Sequence, residues 1–350
     1  MIRKRGGAKT LAIKLRKRKE IFTFYNAEGE KIERETEIRF DPLTGESSRL
    51  VYDAGLAVAS FDYLEAAEKT KGVNCPFCPE NLFKMTPVFP KEISDDGRIT
   101  KGEAVVFPNL FPYSKHNGVT VISRDHFIQL NEFTPALIKD AFQAAQEYIH
   151  KVTLTDSNAK FASINWNYLP LSGGSIIHPH LHIIISDTGT NYQTNIYEKA
   201  RQFEMETGKE YFTALSETEK SIGERWIADT GMITWLHAFA PKSHNDYVGI
   251  FNNAYSLEDI KETDWGHFAK GLETIFSILA DQEFSSFNLM MSVDPEEREP
   301  IHVRLIPRLA IGPLGTSDIN FFQALHQEPL TYKAPEEIAA KARIKFAGLM

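Results

Sequence analysis

The feature that most constrains this chain is an order of elements that occurs twice. Residues 104–107 and 119–122 read as short β-strands around a loop, with apolar residues in β-rich runs. A helix follows over 134–152, its apolar face supplied by Ala136, Leu137, Ala141, Ala144, Ala145, Tyr148 and Ile149. A strand near 161–168, a Ser-Gly-Gly-Ser turn at 172–175 and a strand over 176–185 complete the first run. The second run repeats it, with strands at 233–239 and 247–251, a helix at 257–279 behind Ser256 as N-cap, and strands at 287–293 and 301–309. Asn245 in Ser-His-Asn echoes Asn117 in Lys-His-Asn, and His302-Val303-Arg304 stands where the first run has His178-Pro179-His180. The expected fold is α+β, with tandem halves that each pack helices on an antiparallel sheet. The expected divisions are a basic N-terminal arm over 1–38, a chemically equipped half over 39–195 and a degenerate half over 196–350. A helical segment near 196–207 joins the halves.

The 350 residues suffice for one large domain or two medium ones. A net charge of -8 argues against a general nucleic-acid partner. Charge of the other sign gathers at Lys4, Arg5, Lys9, Lys14, Arg16, Lys17, Arg18 and Lys19, which read as a solvated basic arm or edge strand rather than a headgroup-binding patch. No stretch approaches the roughly 18 apolar residues of a membrane span, and no apolar run follows the basic start, so neither a membrane partner nor a secretory signal is expected. Asp41-Pro42-Leu43-Thr44-Gly45 is a turn, and a short helix is expected over 62–70.

His178-Pro179-His180-Leu181-His182 carries the most chemical information. Strand side chains alternate between faces, so His178, His180 and His182 would share one face and Leu181, Ile183 and Ile185 the other. Three imidazoles on one sheet face are costly without a use. One use is a three-histidine metal site. The flank points to another: Gly173 and Gly174 allow close backbone approach, and their N–H groups with Ser175 could cradle a phosphate beside an imidazole nucleophile. Cys75-Pro76-Phe77-Cys78 has the spacing of half a zinc knuckle, and these are the chain's 2 cysteines. Histidines would have to complete it. Two reduced buried thiols are the plain alternative, and a redox pair lacks a thioredoxin-like context. So few cysteines fit a reducing cytoplasm.

Taken in chain order, Arg39-Phe-Asp-Pro-Leu-Thr-Gly45, Cys75-Pro-Phe-Cys-Pro-Glu-Asn81, Phe107-Pro-Asn-Leu-Phe111, Ser123-Arg-Asp-His126, Asn167 and Ser175-Ile-Ile-His-Pro-His180 resemble the galactose-1-phosphate uridylyltransferase family of the histidine-triad superfamily. The resemblance implies two histidine-triad halves in one chain and one structural zinc held by Cys75, Cys78, His126 and His178, with His116 as the reserve for His126. It implies a homodimer as well. His180 matches the family's nucleophile, which takes up a nucleoside monophosphate, UMP in that family, from a nucleotide-sugar and passes it to a sugar 1-phosphate. Asn109 and Phe111 match positions near the nucleotide. Asn167 and Ser175 match groups that steady the phosphate and the catalytic loop. His182 replaces a glutamine that contacts the phosphoryl oxygens, a pattern like the hydrolytic branch. The family's second metal site is expected to be missing at His302-Val303-Arg304, and its hexose contacts have no clear counterpart around 310–325. Transfer in two steps through His180, with His182 and Ser175 assisting, is the leading expectation. A nucleotidyl hydrolase or nucleotide phosphorylase is the second, and a non-catalytic nucleotide-binding protein the third.

Overall fold

A computed structural model describes residues 13–52, 58–59 and 61–348. Lys4, Arg5 and Lys9 lie outside the described residues. The chain opens with strands β1 (Arg16–Tyr25), β2 (Lys31–Phe40), β3 (Ser47–Leu50) and β4 (Val58–Ala59). Helices α1 (Leu64–Thr70) and α2 (Pro79–Met85) flank the cysteine pair. The first run then comprises β5 (Ile99–Lys101), β6 (Ala104–Pro108), β7 (His116–Val121), α3 (Pro135–Thr155), β8 (Phe161–Tyr168) and β9 (His180–Ser186). Two helices intervene, α4 (Asn191–Thr207) and α5 (Tyr211–Ile222). The second run comprises β10 (Trp226–Thr230), β11 (Ile233–His237), β12 (Tyr247–Phe251), α6 (Glu262–Asp281), β13 (Ser286–Ser292) and β14 (His302–Arg308). The chain closes with β15 (Ala310–Ile311), β16 (Thr316–Ser317), α7 (Phe321–Ala324), β17 (Leu330–Thr331) and α8 (Pro335–Ala347).

The two runs form one antiparallel sheet of ten strands, in the order β10-β11-β12-β14-β13-β8-β9-β7-β6-β5. That order reads alike from either end, because β13 pairs with β8 at a central seam. The fold is therefore α+β as expected, but the two sheets are fused edge to edge. The ends of the ladders show which residues correspond: the Ile122 N–H donates to the Pro179 carbonyl just before His180, and the Phe251 N–H to the Ile301 carbonyl just before His302. His182 lies opposite Asn165, Asn165 opposite Met290, and Met290 opposite Arg304. His182 and Arg304 so share one lateral row, and because His180 and His302 each begin their strands, His302 answers His180 and Arg304 answers His182. This corrects the alignment of His302 with His178. By the same mirror Asp246, not Asn245, answers Asn117, since β7 and β12 pair with β9 and β14 in matching register.

The core lies between this sheet and helices α3 and α6. Thr134 caps α3, accepting from the Leu137 N–H, and Pro135 supplies a pre-set φ at the first turn. Trp166, Tyr168, Phe133, Phe276 and Phe287 pack edge-to-face and stacked across the seam, with centroids 4.9–5.6 Å apart for the Phe276–Phe287, Phe133–Trp166 and Trp166–Phe276 pairs. Each such side chain is fully buried and contributes roughly 1.5–3 kcal/mol by removal from water. The remaining face carries His180, His182, Asn165 and Asn167 between two smaller apolar clusters, one around Phe77, Phe107 and Val121 and one under α4 and α5.

The basic residues Arg16, Lys17, Arg18 and Lys19 lie on exposed edge strand β1, where Lys17 and Lys19 pair with Glu37 and Glu35 of β2. Expected boundaries at 38/39 and 195/196 fall inside β2 and α4. Arg39 is buried and tied to Glu37, to Glu336 of α8 and to the Phe239 carbonyl. It fastens the two ends of the chain together. No helix among the described residues is long and apolar enough to cross a membrane.

Candidate active site and metal centre

The strand that carries the histidines starts later than its apolar run suggests. A bend at Ile177 and His178 precedes it, and β9 begins at His180. Pro179 has no N–H to give, though its carbonyl accepts from Ile122. His178 therefore leaves the shared face and joins the cysteines. His180 and His182 stay together, their ring centroids 4.9 Å apart, while Leu181, Ile183 and Ile185 point into the core.

Cys75, Cys78, His126 and His178 are all buried, and their ligand atoms lie within 4.8 Å of one another. His178 Nδ1 stands 3.7 Å from Cys75 Sγ and 3.8 Å from Cys78 Sγ, and His126 Nδ1 is 3.4 Å from Cys78 Sγ. These are the spacings of donors around a tetrahedral ion with metal–sulfur bonds of about 2.3 Å and metal–nitrogen bonds of about 2.0 Å. The far ring nitrogens are also committed. His178 Nε2 donates to the Ser123 carbonyl at 2.8 Å, and His126 Nε2 meets Thr70 Oγ1 at 3.0 Å. Such outer bonds turn both Nδ1 lone pairs toward the centre. The donor set fits a metal ion. His116, the reserve ligand, is elsewhere, bonded to Asp156 at 2.9 Å.

Next to this centre, His180 Nδ1 donates to the His178 carbonyl at 2.8 Å. The proton is thus held on Nδ1, and Nε2 keeps its lone pair. Burial, then the neighbouring His182, pushes the His180 pKa down to about 3, so the ring is a neutral imidazole at pH 7. Phe77, from between the cysteines, packs against the His180 ring at 5.2 Å. The cysteine–histidine cluster and the histidine strand are thereby one packed unit.

His182 Nδ1 is buried with no partner among the described residues, and the His182 ring lies 6.3 Å from that of Tyr113. Asn167 is two residues beyond Asn165, which brings it level with His180 on the same face. Asn109 closes the end of β6, with its N–H on the Asn117 carbonyl and its side chain accepting from Phe111 N–H. Phe111 is 79% exposed, so it forms the rim of this face rather than its floor.

The glycine turn is organised differently from expectation. Gly173 has φ +88°, which glycine adopts without penalty. A side chain on Gly174 would come within 2.9 Å of the Asn167 carbonyl. Both N–H groups are used within the turn, on the Pro170 and Leu169 carbonyls. The two glycines therefore shape the loop and seat it against β8, and Ser175 is the exposed donor it presents. Leu169, at φ +69°, carries the strain of this tight return.

The second half holds the mirror site in a closed form. His302 Nε2 faces the Tyr192 hydroxyl at 3.1 Å, and Phe212 stacks on the ring at 4.0 Å. Arg304 is neutralised by a two-point ion pair with Asp246. Tyr192 belongs to α4 and Phe212 to α5. Sequence reading did not foresee α5, whose role as a cover depends on contacts with residues some 90 positions away.

The structure matches the ADP-glucose phosphorylase of Arabidopsis thaliana, solved with ADP-glucose bound, at TM-score 0.68 and 16% identity, covering 88% of this chain and 98% of that one. It matches a GalT-like protein from Arabidopsis thaliana at TM-score 0.66 and 17% identity, over 87% and 98%. A uridylyltransferase matches at TM-score 0.63 and 16% identity, over 89% and 99%. No protein-family model matches the sequence. An uncharacterised protein of Archaeoglobus fulgidus is 32% identical over 329 residues, 93% of this chain and 97% of the relative. The chain belongs to one family with that protein, and its fold is that of the galactose-1-phosphate uridylyltransferases and related phosphorylases.

Proposed function

We propose that this chain is a nucleotidyltransferase that works through a covalent nucleotidyl-histidine at His180. The observation that carries the reading is the tautomer. With Nδ1–H committed to the His178 carbonyl, the Nε2 lone pair is free on the polar face of the sheet, beside His182 and level with Asn167. His180 Nε2 attacks the α-phosphorus of a nucleotide-sugar. The P–N bond forms as the bond to the bridging oxygen breaks, and a sugar 1-phosphate leaves. A phosphate oxygen of an acceptor then attacks the same phosphorus, the P–N bond breaks, and neutral His180 returns. The acceptor is a second sugar 1-phosphate or inorganic phosphate. Asn167, Ser175 and His182 offer donors to the equatorial oxygens, where charge concentrates. Asn109 and Phe111 edge the nucleotide side.

Cys75, Cys78, His126 and His178 would hold zinc, with no position left open for substrate. The ion would brace the bend before β9 and so the place of His180.

The test is incubation with UDP- and ADP-sugars, with and without sugar 1-phosphate or inorganic phosphate, following label on the protein. Exchange that needs an acceptor, with label on His180, is the expected result. Label on another residue would refute the assignment. A second reading, hydrolysis, is favoured by the unpartnered Nδ1 of His182, which can take a proton from water. His182→Gln should then slow release to water while sparing exchange.

A further inference from the structure

We propose that Asn288 and Arg308, both from the second half, are positioning residues that set the amide of Asn167 so that its Nδ2 faces the phosphoryl group on His180. This rests on the reading of His180 as the nucleophile. Asn288 lies directly opposite Asn167 across the seam. Its Nδ2 donates to Asn167 Oδ1 at 2.7 Å and to the Ser172 carbonyl at 2.9 Å. Its Oδ1 accepts from Arg308 Nη1 at 3.4 Å. Arg308 in turn is held by Asp318, through Nε at 3.0 Å and Nη2 at 2.7 Å.

The chemistry of the partners leaves one orientation. A guanidinium only donates, so it must meet the amide oxygen of Asn288. The Ser172 carbonyl only accepts, so it must meet the amide nitrogen. Asn288 thus has to give an N–H to Asn167, whose oxygen turns toward β13. Because β8 lies between β13 and β9, the Asn167 nitrogen then turns toward His180. A phosphoryl group presents only acceptors, so this is the productive orientation; the reverse would set an amide oxygen against an anionic one. At the mirror position opposite His302 stands Ser292, bonded to the Tyr197 hydroxyl at 2.8 Å. The relay thus serves the first half only, and it gives the second half a share in the chemistry.

The experiment uses the full chain and the variants Asn167→Ala, Asn288→Ala, Asn288→Asp and the double alanine. Label transfer from nucleotide-sugar to His180 is timed by rapid quench, and thermal unfolding serves as the control for fold. Loss of one oxyanion donor in Asn167→Ala should slow labelling about 10²-fold. Asn288→Ala should slow it about tenfold, as loss of an outer-shell partner commonly does, and should add nothing in the Asn167→Ala background. Asn288→Asp is the discriminating variant. It keeps the shape and the bond to Arg308 but cannot donate, so Asn167 turns over and labelling should be slower than in Asn288→Ala. A merely structural role predicts the reverse ranking, and that ranking, or multiplying effects in the double variant, overturns the relay. The Asn167 side-chain amide resonances, assigned by their loss in Asn167→Ala, separate this from the reading of His180. Suppose wild type never labels His180. Then amide signals that shift with added nucleoside monophosphate, but not in Asn288→Asp, sustain the relay and remove only the covalent step. Amide signals indifferent to nucleotide, or unaffected by Asn288→Asp, overturn it.

Discussion

Two histidines sit at the same place in the two halves of one sheet, and they are treated in opposite ways. His180 has its outer nitrogen on a polar face rimmed by Phe111, with an amide beside it. His302 has its outer nitrogen against Tyr192 and its ring under Phe212. The strands and the register are alike, so the difference lies in what is laid over the sheet. Helices α4 and α5, inserted between the halves, cover one site and leave the other. On the proposed reading, the open site carries the chemistry and the covered one serves packing.

The sharpest way to break that comparison is His180→Gly. Covalent labelling should fall by roughly 10⁴-fold or more, since a nucleophile has no partial substitute, with the chain still folded and its melting temperature lowered by the loss of a buried, packed side chain. Retained labelling, or label at His302, would mean that the closed half is the working one.

Metal removal comes next. The mirror of His178 is Pro300, and the cluster at Cys75, Cys78, His126 and His178 has no counterpart found among the described residues of the second half. Chelation, or Cys78→Ala, should release one zinc and cost several kcal/mol of stability in the first half. Hydrogen exchange should rise in α1, α2 and the bend before β9, while β11 and β12 stay protected. Equal loosening of both halves would contradict a local clamp.

Phe212→Ala sharpens the comparison from the other side. Phe212 is 5% exposed, and its truncation should cost about 3 kcal/mol. Turnover should stay within about twofold, because Arg304 remains paired with Asp246 and the group beside His302 is Ser292 rather than an amide. Denaturant titration and the transfer assay together decide this. A gain of labelling at His302 would show the cover to be all that silences it.

The last effect concerns what holds the cover down. Glu299 is 3% exposed and accepts from the Tyr211 and Phe212 N–H groups at the start of α5. Burial lifts its carboxyl from 4.5 to about 7, against the pull of those two donors. Below 4.5 both folded and unfolded chains hold the proton. Between 4.5 and about 7 only the folded chain does, so stability falls as pH rises through that window and then levels, by up to about 3 kcal/mol in all. Glu299→Gln should flatten that slope in unfolding curves at pH 5 and pH 8. A slope unchanged in the variant would assign it to other groups.

Much of the fold was legible in the sequence because the strands are short, β-rich and punctuated. The 161–168 and 247–251 strands fall where the pattern puts them, and α3 follows its apolar spacing. The cluster of Cys75, Cys78, His126 and His178, which could hold a metal, was legible from the cysteine spacing, with the family resemblance naming His126 and His178. The start of β9 was not. Ile176 and Ile177 look like strand residues, but the bend at Ile177 and His178, which carries His178 to the cysteines, is set by tertiary packing. The match of His302 with His180 was hidden too, because His-Val-Arg can be laid on His-Pro-His by letters alone, whereas the folded strands both begin at these two residues. Asn288 and Arg308 lie more than a hundred residues from Asn167, and only the seam brings them to it.

That seam has a practical consequence for anyone who would cut the molecule in two. Strands β8 and β13 pair over six positions, with Trp166 and Phe287 in the layer beneath. A fragment ending before α4 would present β8 as a bare hydrogen-bonding edge above an uncovered aromatic layer. Such an edge is a template for other chains. Either half made alone should therefore recover from solution as aggregates or as a copy-to-copy dimer joined through that strand, and supplying the missing half in trans should rescue solubility before it rescues turnover.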